Sequence, residues 1–78
     1  MSRPTTALGR LQALIDYVER TRDTSKADAC WKAYLDRLAD DAPALASDHR
    51  AEALLARLRE AGPGWPTRAS TVQKVVRQ

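Results

Sequence analysis

The chain has 78 residues, a mass of 8.6 kDa and a formal net charge of +3. Its 44% hydrophobic and 29% charged residues exclude wholesale disorder, and the lack of a long apolar run excludes a membrane-spanning helix. Fourteen alanines, nine leucines and ten arginines favour helix, whereas four valines, one isoleucine and no phenylalanine are too few for a sheet. We therefore predict one all-α domain over residues 1–78, a small bundle of three main helices plus a short C-terminal helix.

The first predicted helix begins after Pro4, where Thr5 or Thr6 is placed to cap the first turn. A threonine hydroxyl there accepts a hydrogen bond from an amide that has no partner inside the helix. Asp16 and Arg20 are spaced to form an i,i+4 ion pair on the surface. The apolar residues of this helix share one face: Leu8, Leu11, Leu14, Ile15 and Val18.

A second helix is predicted from about Ser25 to Ala39, with Asp28 and Lys32 as another i,i+4 pair. It should end before Pro43, because a proline disfavours helical geometry in the residue before it, and Pro43 itself is expected to open a short turn. The residues expected to face the core are Ala27, Cys30, Trp31, Tyr34, Leu35 and Leu38.

Ser47 or Asp48 is expected to cap a third helix that runs from about His49 to Ala61. Gly62 fits the left-handed residue that often follows a helix end. The apolar stripe of this helix is formed by Ala51, Leu54, Leu55 and Leu58.

Residues 64–66 are predicted to form a rigid turn that contains Trp65 and precedes the last helix. Thr67 or Ser70 is expected to start that helix, with Ser70 and Gln73 at the spacing of a capping box. Its core-facing residues would be Ala69, Val72, Val75 and Val76.

No catalytic set stands out in the sequence. The single histidine, His49, and the single cysteine, Cys30, cannot complete a four-ligand zinc site. Asp48 points about 100° away from His49 on a helix, so the two do not form the start of a catalytic triad. Cys30 is interpreted as a small buried hydrophobe rather than a nucleophile. We expect a protein that is not an enzyme and that holds no cofactor or metal.

Charge is distributed unevenly along the chain. The net charge is −3 over residues 27–48 and +4 over residues 49–78. Asp36, Asp40 and Asp41 are interpreted as a solvated acidic end of the second helix. The basic C-terminal third is a candidate contact surface, because such a surface attracts acidic protein or phosphate.

Location and assembly follow from what the chain lacks. The N-terminus has no apolar h-region of a signal peptide, and a lone cysteine suits a reducing compartment, so we expect a cytoplasmic protein without membrane contact. A small core without a disulfide favours association, which predicts a homodimer or dependence on a partner.

Trp65 has two interpretations. It packs back over the helices, with its indole N–H on a carbonyl, or it projects and contacts a partner. The leading hypothesis is a small non-catalytic regulator, inhibitor or adaptor that binds another protein stoichiometrically, of the kind that phages and mobile elements encode. The predicted partner-contact residues are Trp65, Arg68, Lys74 and Arg77.

Residues 67–78 support an alternative. The run Ser70-Thr71-Val72-Gln73-Lys74-Val75-Val76 resembles the start of a recognition helix in the helix-turn-helix of bacterial repressors, where small polar residues face bases and valines face the core. The resemblance implies a DNA-binding transcription regulator. The residues that would contact DNA are Arg68, Ser70, Thr71, Gln73, Lys74 and Arg77.

Overall fold

The computed structural model describes residues 6–77, which form four helices and, in that range, no strand. The predicted all-α class is confirmed; Pro4 and Thr5 lie outside the described residues. The last helix has 12 residues and the third only 10, so the predicted ranking of three main helices and a short fourth fits only roughly. The helices are α1 (Ala7–Arg20), α2 (Thr24–Ala46), α3 (Arg50–Arg59) and α4 (Trp65–Val76).

Side-chain caps start the first two helices. Thr6 Oγ1 accepts a hydrogen bond from the Gly9 amide at 3.0 Å, as the sequence predicts. An Asp23 oxygen accepts from the amides of Ser25 at 2.9 Å and Lys26 at 3.2 Å. Each cap satisfies first-turn amides that have no partner within the helix.

The predicted end of α2 is wrong, because the helix continues through Pro43 to Ala46. Proline inside a helix costs about 3 kcal/mol through a lost hydrogen bond and a clash with the preceding turn. The residues around it are buried nonetheless: Ala42 is 8% exposed and Leu45 is 2% exposed. Their burial in the core outweighs the local preference for a stop, so Pro43 does not open a separate turn.

Asp41 does not belong to a solvated acidic end. Its side chain is only 4% exposed, and it accepts hydrogen bonds from Arg10 Nε at 2.8 Å and Arg10 Nη2 at 2.5 Å. Asp36 and Asp40 are exposed, as expected. The Arg10–Asp41 pair instead ties the start of α1 to the last part of α2, which shows that the two helices run in opposite directions.

α3 is shorter at both ends than the predicted span of His49 to Ala61. Neither predicted residue is the N-cap, which is His49 and makes no side-chain capping bond. Asp48, just before it, accepts a hydrogen bond at Oδ1 from the Arg50 amide at 3.0 Å. Across the bundle, Arg57 of α3 donates to Asp16 of α1 at 2.8 Å. The predicted local pairing of Asp16 is therefore replaced by a long-range one.

α4 begins earlier than predicted, with Trp65 and Pro66 as its first residues. Proline is tolerated there because the first amides of a helix lack internal partners. The left-handed residue is Gly64, with φ 84°, whereas Gly62 has φ 157° and so does not take the predicted role. Ser70 does not cap the helix either, since its hydroxyl donates to the Pro66 carbonyl at 3.0 Å.

One core joins the four helices: α1 packs on α2 and α3, and α4 packs on the same two. Leu35, expected in this core, is 37% exposed because it lies at the edge of the apolar face of α2. The largest fully buried side chains come from all four helices and are Leu11, Ile15, Leu38, Leu58 and Val72.

Candidate interaction surface

The first turn of α4 is held by an aromatic cluster. Trp65 is 5% exposed, and its ring meets that of Trp31 edge-on at a centroid distance of 5.7 Å. The Arg68 guanidinium lies 4.5 Å from the Trp65 centroid and 5.9 Å from that of Trp31. Arg68 Nη2 also donates to Asp28 Oδ1 of α2 at 2.5 Å. Stacking and ion pairing together fix this arginine against α2.

This geometry decides between the two interpretations of Trp65. Residues three apart on a helix point to the same side, so Trp65 and Arg68 both face α2. Trp65 therefore packs on the core, and Arg68 covers its outer side with a side chain that is 29% exposed. The predicted i,i+4 partner of Asp28, Lys32, is exposed and is not bonded to it.

The other two predicted contact residues lie at the opposite end of α4. Lys74 and Arg77 are both exposed, and neither forms an ion pair within residues 6–77. The structure therefore does not bring the four predicted partner-contact residues into one site. It separates them into a packed pair, Trp65 and Arg68, and an accessible pair, Lys74 and Arg77.

A groove of about 730 Å³ lies beside the accessible pair, where α2 ends, α3 begins and α4 ends. We call it the end groove. Leu45, Leu55 and Val76 contribute apolar side chains from three different helices, and Arg77 also lines it. An apolar concave surface with a few polar groups is the usual form of a binding site.

Charged groups of both signs surround the end groove. Arg50 donates to the two carboxylate oxygens of Asp48 at 3.0 and 2.8 Å, and these hydrogen bonds hold the pKa of Asp48 below its usual range. Glu52 and Arg77 are exposed and form no ion pair among the described residues. The groove thus offers one carboxylate and one guanidinium that are free to bind other groups.

Most of the residues predicted to contact DNA make internal contacts. Ser70 and Thr71 donate their hydroxyl protons to carbonyls four residues earlier. Gln73 accepts a hydrogen bond from Arg59 of α3. Arg68 stacks on Trp65 and donates to Asp28. Of the six predicted residues, only the side chains of Lys74 and Arg77 have no hydrogen-bond or ion-pair partner within residues 6–77.

Sequence reasoning missed most of the end groove. The sequence predicts that α2 stops at Ala39, so it does not place Leu45 there. It predicts that Leu55 and Val76 face the core, and a groove between helix ends does not follow from periodicity. The one indication is the apolar Leu45 after Pro43, which continues the helical spacing of Leu38.

The candidate reactive residues occupy separate places. Cys30 is partly buried against the core, and this burial raises the pKa of its thiol, which disfavours the nucleophilic thiolate. His49 is exposed at the N-terminal end of α3 and makes no capping hydrogen bond. Within residues 6–77, no three histidine, cysteine or acidic side chains come together as a metal site would require.

Comparison with protein-family models, curated proteins and solved structures finds no match to this chain. None of the helices formed by residues 6–77 has both the length and the apolar character needed to cross a membrane.

Proposed function

We propose that this protein is a non-catalytic binding protein that holds a segment of a protein partner in the end groove. The observation that carries the proposal is an apolar groove beside Arg77, a basic residue that no other described side chain engages.

The apolar lining gives the groove an affinity for a hydrophobic side chain. Leu45 and Leu55 are 2% and 6% exposed, so they form a firm floor, while Val76 is only partly buried. Because each buried apolar side chain contributes about 1.5–3 kcal/mol, one or two partner residues inserted here supply most of a weak to moderate affinity.

The unpaired charges define the polar part of the partner. Arg77 favours an acidic residue near the inserted side chain, and Glu52 favours a basic one. Asp48 contributes less, since Arg50 already neutralises it. The fitting partner is a short segment with an apolar side chain and neighbouring charges of both signs.

The test is affinity capture from the native host, divided into nuclease-treated and untreated halves. Arg77→Glu is compared with Arg37→Glu, an exposed arginine on α2 that does not line the end groove. We expect the wild type and Arg37→Glu to retain the same protein after nuclease, and Arg77→Glu to lose it while its helical circular dichroism is unchanged. Equal capture by both variants places the interface elsewhere.

DNA binding is the second candidate, and the outer face of α4 favours it. Thr67, Thr71 and Lys74 are exposed there, and residues 62–77 contain no aspartate or glutamate. Phosphate contacts release counterions, so duplex binding should weaken steeply as salt rises, and Lys74→Glu should reduce it. Absence of any duplex binding at low salt removes this candidate.

A further inference from the structure

A second groove, of about 430 Å³, runs between α1 and α2 on a different side of the bundle. We call it the side groove. Its lining includes three small residues, the exposed Ala13 and Ala33 and the partly buried Cys30, beside larger side chains that include two arginines and two tyrosines. No residue lines both grooves. An occupant of one therefore leaves the other open.

The side groove has the dimensions of a helix contact. Arg10, Ala13, Tyr17 and Arg20 are spaced along α1 so that they follow one side of that helix. At 1.5 Å per residue, Arg10 and Arg20 are about 15 Å apart along the axis, which is close to three helical turns. Small residues between two adjacent helices allow the side chains of a third helix to approach closely.

Charge gives the groove a preferred occupant. Two arginines line it and no carboxylate does. Arg10 is balanced by Asp41, through its Nε and Nη2 atoms. Arg20 is exposed at the other end and forms no ion pair within residues 6–77. The uncompensated positive charge is therefore at the Arg20 end.

We propose that the side groove binds an acidic amphipathic helix of a protein partner. Its apolar ridge lies between Ala13 and Ala33, and a carboxylate of the same helix meets Arg20. This inference does not depend on the end groove. If both grooves are filled, the chain joins two protein segments and acts as an adaptor.

The experiment uses two capped, alanine-rich helical peptides of about 15 residues that share one leucine ridge. One carries glutamates in its terminal turn, and the other carries lysines at the same positions. Each is titrated into the ¹⁵N-labelled full chain by NMR. We expect the acidic peptide to bind about tenfold more tightly and to shift the amides of Ala13 and Ala33.

Variants establish the site. Arg20→Glu should reverse the preference between the two peptides, and Ala33→Trp should abolish binding of both by filling the groove. Lys32→Glu is the matched control, because Lys32 is exposed on α2 but does not line the groove. All three substitutions are at exposed helix positions, and circular dichroism verifies that each variant is folded.

Three results overturn the proposal. The first is that neither peptide shifts the groove amides at millimolar concentration. The second is that both peptides bind equally and Arg20→Glu changes nothing. The third is that sedimentation shows a dimer of the free chain that Ala33→Trp converts to a monomer, since the occupant is then a second copy.

Discussion

The two ends of α4 differ in what their basic residues do. At its start, Arg68 is stacked on Trp65 and bonded to Asp28, so its charge is used within the fold. At its end, Lys74 and Arg77 are both exposed, and neither has an ion-pair partner among the described residues. A basic residue therefore indicates a contact surface only where no internal carboxylate is within reach.

The same distinction holds across the bundle. Arg10, Arg57 and Arg68 each pair with a carboxylate on another helix, more than 30 residues away in the sequence. The positive charges of these three arginines are therefore balanced within the fold. Arg20 and Arg77 remain accessible, and they line the side groove and the end groove, respectively.

The largest expected effect is that of Trp65→Ala, which removes the central side chain at the start of α4, the packed end of this helix. We expect a loss of about 3–5 kcal/mol in the free energy of unfolding, as for other buried tryptophans. That is a large part of the roughly 4–12 kcal/mol expected for a chain of this size. Urea unfolding followed by circular dichroism measures it, with Lys74→Ala as the control at the accessible end.

If Trp65→Ala lowers the free energy of unfolding by less than about 1 kcal/mol, the Trp65 side chain does not contribute to the core as its burial implies. If Lys74→Ala costs as much as Trp65→Ala, the two ends do not differ. Truncation of Trp65 is also a poor test of partner binding, because a partly unfolded chain loses its partner for a trivial reason.

A second large effect is expected at the Arg10–Asp41 pair, where the two partners are buried unequally. Arg10→Met leaves the carboxylate of Asp41, only 4% exposed, without its guanidinium, whereas Asp41→Asn leaves Arg10, 28% exposed, within reach of water. We therefore expect Arg10→Met to lower the melting temperature more than Asp41→Asn does.

Thermal unfolding followed by circular dichroism measures both deficits. An equal loss in Arg10→Met and Asp41→Asn contradicts the idea that the unpaired, buried carboxylate causes the larger loss.

The sequence is sufficient for the local features of α1. The apolar spacing of Leu11, Ile15 and Val18 gave α1 its buried face, and the hydroxyl of Thr6 gave its cap. These features depend only on neighbouring residues and on the period of a helix.

Several errors arise where a distant contact overrides a local preference. Pro43 indicated a stop, but burial of Leu45 carries α2 past it. Asp16 had Arg20 within one turn, yet it bonds Arg57 from another helix. The end groove cannot be predicted from the sequence for the same reason, since it forms only where the ends of three helices meet.

The next prediction concerns the stacking of Arg68. Arg68→Lys keeps the charge beside Asp28 but loses the planar guanidinium that covers Trp65. We expect a loss of about 1 kcal/mol in the free energy of unfolding. Arg77→Lys at the accessible end is the matched control, and it should change stability by less than about 0.5 kcal/mol. An equal effect of the two substitutions contradicts a special role for stacking.

The smallest expected effect is that of Tyr34→Phe, which removes a buried hydroxyl group that has no hydrogen-bond partner among the described residues. Tyr34 is 6% exposed, and within residues 6–77 its buried hydroxyl has no hydrogen-bond partner. Burial, aided by the nearby Asp41 carboxylate, raises the pKa of this phenol and keeps its proton in place. Removing a buried donor that bonds to nothing costs no hydrogen bond and relieves its desolvation, so stability should stay the same or rise by about 1 kcal/mol.

Tyr17→Phe, at a half-buried tyrosine, is the control. A loss above about 1 kcal/mol in Tyr34→Phe alone would show that the hydroxyl bonds an internal water or Asp41 in solution.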